Sequence, residues 1–156
     1  MREANILMNA LGIIDSGGII VLDKVLAECA ADKSSAFLIV CNSNKNIRKL
    51  KVKYKEFNFI VVRSGLLYRV FYENIIFRRL VKRHNIQLIY NFSGSAQLNF
   101  LMNTLQLIKV HNLLFYSRNL DAVYHSKTAY FEWLKQVFLK RLYFKFMLNQ
   151  SKYIEV

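Results

Sequence analysis

The chain has 156 residues, 54% of them hydrophobic, so it is long and apolar enough to form one domain around a sizeable core. Its 23 Lys and Arg against 10 Asp and Glu leave a net charge of +13, which points to a polyanionic partner such as nucleic acid, an anionic membrane surface or a phosphorylated substrate. The two cysteines, Cys29 and Cys41, have no metal-type spacing and read as small core residues of a reducing compartment, with no metal expected. No apolar run reaches the ~18 residues that cross a bilayer, and Met1 to Asn5 lacks the layout of a signal peptide, so the expected location is cytoplasmic.

In chain order, Ile6 to Leu11 reads as a first strand. After Gly17-Gly18 a 3.6-residue pattern of Ile19, Leu22, Val25 and Leu26 predicts a helix to Ala31. Asp32 to Ser35 stops it, and Ala36 to Cys41 is a second strand. Asn42 to Glu56 carries Lys45, Arg48, Lys49, Lys51, Lys53 and Lys55 and reads as a solvated loop or surface helix. Phe57 to Val62 is a third strand, and Ser64-Gly65 precedes a long helix to about His84 with an apolar face of Leu67, Tyr68, Phe71, Tyr72, Ile75, Ile76 and Leu80. Gln87 to Phe92 is a fourth strand, Ser93-Gly94-Ser95 a small-residue corner, and Ala96 to Thr104 a short helix. Leu107 to Val110 is a fifth strand that delivers His111-Asn112. An apolar, aromatic loop from Leu113 to Tyr124 follows, then a helix from Thr128 to Leu148 and a sixth strand from Tyr153 to Val156.

Strand-length apolar runs that alternate with helices predict an α/β fold, a single Rossmann-like three-layer domain over residues 1–156 with a mainly parallel sheet and right-handed crossovers. There is no internal repeat, low-complexity tract or linker. In such sheets ligands sit beyond the carboxyl ends of the strands. Gly17-Gly18, Ser93-Gly94-Ser95 and His111-Asn112 all fall at that edge.

The corner Asp15-Ser16-Gly17-Gly18 suits a phosphate, because glycines let backbone approach a ligand and the free N–H groups of a helix start favour an anion. It also suits a tight turn with no ligand. Neither G-x-G-x-x-G nor a Walker lysine is present. Asp15 could orient a sugar hydroxyl, with N-capping of the helix as the competing role. His111 could act as a general base, since imidazole titrates near neutral pH, or could line the cleft as a structural side chain. His84 reads as a capping or surface residue, His125 as a loop residue, and Asp121 has no partner visible in sequence.

The segments GGIIVLDKVLAE, LYRVFYENIIFRRLVKRHNIQLIYNFSG and KVHNLLFYS together resemble the amino-terminal half of a GT-B glycosyltransferase of the family 4-like kind. The resemblance implies two Rossmann-like domains across a cleft, of which this chain is the acceptor side and the carboxyl-terminal donor-binding domain is absent. It implies hexosyltransferase-type transfer from a nucleotide sugar, as co-substrate and not cofactor, to a saccharide or lipid-linked acceptor in bacterial-type surface polysaccharide synthesis. By that likeness Asp15, Ser16, Gly17 and Gly18 belong to the loop that meets the donor diphosphate. His111 is the candidate catalytic residue, and Ser93, Gly94, Ser95 and Asn112 line the cleft. The paired glutamates of the second domain have no counterpart before Val156, so the expectation is half an enzyme, inactive alone, that needs its other half in cis or in trans. The turn from Ala31 to Ser35 also departs from the family's Gly-His-Glu-Val ending.

Lys135, Lys140, Arg141 and Lys145 interleave with Trp133, Phe138, Tyr143, Phe144 and Phe146, a mixture suited to a headgroup interface and hence to peripheral attachment at the inner face of a membrane. The alternatives are a basic non-catalytic partner subunit and a nucleic-acid-binding module. Nucleic acid ranks below the membrane, because no helix-turn-helix, RNP or zinc pattern is present.

Overall fold

The computed structural model describes residues 6–13, 16–31, 35–92, 104–109, 121–122, 130–138, 141–142, 145–146, 149 and 153–155. Six strands form one sheet: β1 (Ile6–Ala10), β2 (Phe37–Asn42), β3 (Asn58–Val62), β4 (Leu88–Asn91), β5 (Leu105–Lys109) and β6 (Tyr153–Glu155). Their order is β3-β2-β1-β4-β5-β6, and every neighbouring pair is parallel. The chain thus steps outward from β1 to β3, returns to the middle, and steps outward again from β4 to β6. The reversal between β1 and β4 is the topological switch point at which such sheets open a crevice.

Each strand lies within one or two residues of its sequence expectation. The strands are continuous apolar runs because both faces of the sheet are covered. Side chains alternate between the faces, so Met8, Ala10, Ile39, Cys41 and Phe92 share one core with Leu22 and Leu26 of α1 (Ser16–Ala31) and Ile47, Leu50 and Tyr54 in and after α2 (Lys45–Lys53). Leu7, Leu38, Val40, Val62 and Ile89 face the other way and meet Phe77, Leu80 and Val81. Two helical layers therefore sandwich the sheet.

The basic segment before β3, expected as loop or surface helix, is helix α2. Its start is capped by Asn44, whose side chain accepts from the N–H of Asn46, and it is held by Ile47 and Leu50, three residues apart on the buried side. Helix α1 begins three residues earlier than its periodicity suggests, so Gly17 and Gly18 occupy its first turn. Glycine costs a helix less at its start than in its interior.

The helical rod after β3 consists of α3 (Leu66–Phe71), a π turn (Tyr72–Ile76) and α4 (Phe77–Arg83). In the π turn the N–H of Phe77 reaches Tyr72 O, five residues back. The rod ends in a Schellman arrangement. His84 is the C-cap, Asn85 takes the left-handed conformation at φ 48, and the N–H of Ile86 bonds Val81 O at 3.0 Å. Ile86 is then buried in the second core. The apolar face expected on this rod is corrected by the structure: Tyr68, Phe71 and Ile75 are exposed, and the charged Glu73 is buried.

After β5, α5 (Tyr130–Trp133) leads into a second π turn (Leu134–Phe138), within the helix expected from Thr128. Asp121 and Ala122, read from sequence as loop, are helical. Asp121 has partners after all, accepting from Trp133 Nε1 at 2.7 Å and Arg141 Nη1 at 2.8 Å. The short helix expected at Ala96 to Thr104 lies outside the described residues, apart from Thr104. Among the described residues no helix is long and apolar enough to cross a membrane.

Candidate functional site

Three strands carry an asparagine near their carboxyl ends: Asn9 in β1, Asn42 in β2 and Asn91 in β4. All three are buried, and alternation puts Asn9 and Asn42 on the face of Leu7 and Val40, with Asn91 on that of Ile89, which is the side covered by the α3–α4 rod. Asn9 and Asn91 are register partners on adjacent strands, and Asn9 Nδ2 donates to Asn91 Oδ1 at 3.0 Å. The same Nδ2 donates to Glu73 Oε1 at 2.8 Å, which also accepts from Arg69 Nε at 3.0 Å. Asn9 Oδ1 accepts from the N–H of Leu11, and Asn91 Nδ2 donates to Gln106 Oε1 at 3.4 Å. Asn9 is 0% and Glu73 6% exposed. A polar network so enclosed persists only when its members are paired. Here it joins β1, β4, β5 and the rod across the switch point.

Asn42 ties the adjoining loops. Its Nδ2 donates to Leu11 O at 3.2 Å and Ile13 O at 2.6 Å, and its Oδ1 accepts from the N–H of Asn44 at 3.0 Å. The turn leaving β1 is thereby clamped to the end of β2. Ser43 Oγ and Ser64 Oγ, 3.1 Å apart, join the end of β2 to the end of β3. Between these ties lies a cleft of about 160 Å³ lined by Leu11, Gly12, Asn42, Arg63, Ser64, Gly65 and Arg69. Gly65, at φ 140, turns the chain from β3 into α3 in a conformation that side-chain-bearing residues rarely adopt.

Of the residues singled out from sequence, Ser16, Gly17 and Gly18 sit at the start of α1 beyond the carboxyl end of β1, with Ser16 and Gly17 exposed. Asp15, Ser93, Gly94, Ser95, His111 and Asn112 lie outside the described residues. Sequence reasoning passed over Asn9, Asn42, Arg63, Ser64, Glu73 and Asn91 as site residues. The available signal was an asparagine recurring near the end of otherwise apolar strands, ILMNA, FLIVCN and LIYN.

Away from the crevice, burial pushes the Cys41 thiol up to about 12, so it is no nucleophile near neutral pH. Asp23 accepts from both Lys53 Nζ and Tyr54 Oη, and these bonds hold its carboxyl below the usual range. It fastens α1 to α2. Among the described residues no group of three His, Cys, Asp or Glu could hold a metal ion.

The all-parallel sheet, its order with a reversal between β1 and β4, and the two helical layers define a Rossmann-like α/β domain. No protein-family profile matches the chain, and neither a curated protein nor a solved structure matches it.

Proposed function

We propose that this domain is the acceptor-side half of a glycosyltransferase of the GT-B kind. Its partner half holds a nucleotide sugar, and sugar passes to a saccharide or lipid-linked acceptor at a membrane surface. The observation that carries the reading is the placement of Gly17 and Gly18 in the first turn of α1, a 16-residue helix that starts beyond the carboxyl end of the central strand β1. The positive end of the helix dipole there favours a diphosphate. The net charge of +13 and the exposed Tyr68, Phe71, Ile75, Phe131 and Phe146 support attachment to anionic lipid.

Transfer needs donor and acceptor fixed together, an arrangement worth ~7–11 kcal/mol of barrier, and one side of a cleft does not fix both. Purified residues 1–156 should therefore transfer no radiolabelled sugar from nucleotide-sugar donors to lipid-linked acceptors. Addition of a donor-binding domain, in cis or in trans, should produce transfer that falls in Gly18→Val, where a β-branched side chain crowds the helix start. Turnover by residues 1–156 alone that survives Gly18→Val would refute both the half-enzyme reading and the role given to the glycines.

A further inference from the structure

The cleft between the ends of β1, β2 and β3 is lined by neither Gly17 nor Gly18. It has three properties of a built anion site. It has room: about 160 Å³ compares with the ~150 Å³ cavity that admits benzene in another protein. Its walls are fixed before any ligand arrives, because Asn42 clamps the β1 turn through Leu11 O and Ile13 O and Ser43 joins Ser64. Such preorganisation reduces the ordering cost of binding. It is also cationic, since Arg63 and Arg69 both line it.

The two guanidinium groups differ in a way that assigns their work. Arg69 is half-buried and bonds Glu73, so its charge is largely offset and its orientation set. Arg63 is exposed and pairs with no carboxylate among the described residues. Its contacts are with Tyr68, whose hydroxyl accepts from Nη1 at 3.4 Å and whose ring lies 5.5 Å from the guanidinium carbon. Stacking on the ring orients the fork of N–H donors without neutralising it.

We infer that this cleft is a phosphoryl-binding subsite, in which Arg63 supplies the uncompensated charge and Arg69 and the Ser64 hydroxyl supply further donors. A phosphoryl group matches the cleft better than a carboxylate. Its tetrahedral oxygens can accept from the separate walls carrying Arg63, Ser64 and Arg69, whereas a carboxylate offers two coplanar oxygens. The inference stands on the cleft alone and is independent of sugar transfer.

The test is titration of the full chain, at constant ionic strength, with inorganic phosphate, a nucleoside diphosphate and phosphatidic acid vesicles in separate arms, followed by calorimetry and amide NMR. Saturable binding that shifts the Gly12, Ser64 and Gly65 amides is expected. Arg63→Ala should weaken it at least tenfold, Arg63→Lys less, and Lys24→Ala, which removes an equal charge from the exposed side of α1, not at all. The arm that loses most affinity in Arg63→Ala identifies the source of the phosphoryl group. Unchanged thermal unfolding of Arg63→Ala separates lost binding from lost fold. Absence of saturable binding in every arm, or equal weakening by Arg63→Ala and Lys24→Ala, would overturn the inference.

Discussion

At the scale of single residues, burial decides chemistry that residue type alone leaves open. Cys41 is enclosed in the first core, and its Sγ lies 3.7 Å from Ile60 O. Burial disfavours the thiolate and drives the thiol to about 12. Cys29 is only partly buried. A disulfide reagent at pH 8 should therefore label one thiol per native chain, at Cys29, and two after denaturation. The same shift fixes the direction of one pH effect. Below the ordinary thiol range both folded and unfolded chains keep the Cys41 proton, and nothing is lost. From that range up to about 12 only the unfolded chain releases it, so stability declines across this alkaline window. Denaturation midpoints measured from pH 8 to 11 should fall less steeply in Cys41→Ala, once its lower baseline is subtracted.

At the scale of elements, the π turn explains how a charged residue came to face the sheet. A regular amphipathic rod here would bury Phe71 and Ile75, and their alternation with arginines supports that expectation. The structure instead presents Glu73 to Asn9 and leaves Phe71 and Ile75 about half exposed. The opposing strand ends are asparagines, so an acceptor on the rod is worth more at that point than another apolar side chain. In Glu73→Ala the Nδ2 of Asn9 would lose one of its two acceptors in a site without water access, and Arg69 would lose its carboxylate. A cost of about 1–3 kcal/mol follows from a buried unsatisfied donor, below the value for a fully enclosed ion pair because Arg69 can hydrate. Urea unfolding should show that loss for Glu73→Ala and a smaller one for Glu73→Gln, which retains an acceptor oxygen. Equal stability of Glu73→Ala and the parent chain would contradict the structural role of the network.

At the scale of the whole molecule, basic and apolar surfaces coincide. Tyr68, Val70, Phe71 and Ile75 are exposed on the α3–α4 rod, and Arg78, Arg79, Lys82 and Arg83 continue along its exposed side. The carboxyl-terminal helical residues expose Tyr130, Phe131, Phe138, Leu142 and Phe146. Both mixtures suit an anionic headgroup layer. Flotation with anionic vesicles should recover the protein at low salt and release it as salt rises, because exposed charges are screened over ~8 Å at physiological ionic strength. Phe71→Ser with Ile75→Ser should weaken recovery, and no recovery of the parent chain at low salt would exclude the membrane.

The six strands, the parallel sheet and the covered faces were legible in the chain itself. Runs such as FLIVC are too uniformly apolar for a one-faced sheet, and their separation by helix-length segments requires crossovers. Helix α2 was half legible: Ile47 and Leu50 mark a buried side, but the six lysines and arginines from Lys45 to Lys55 conceal it. Only tertiary structure decided the order β3-β2-β1-β4-β5-β6, because strand pairing depends on which apolar faces meet across long loops, and periodicity does not specify partners. It likewise decided the cleft. Leu11 and Gly12, Asn42, and Arg63 and Arg69 come from three separate stretches of the chain, and each has an ordinary local role as turn, strand end or helix surface. They become neighbours because parallel strands in register deliver all their carboxyl ends to one edge. The buried Asn9–Glu73–Asn91 network follows from the same geometry, since a polar side chain in an apolar strand is tolerated only where another element brings its partner.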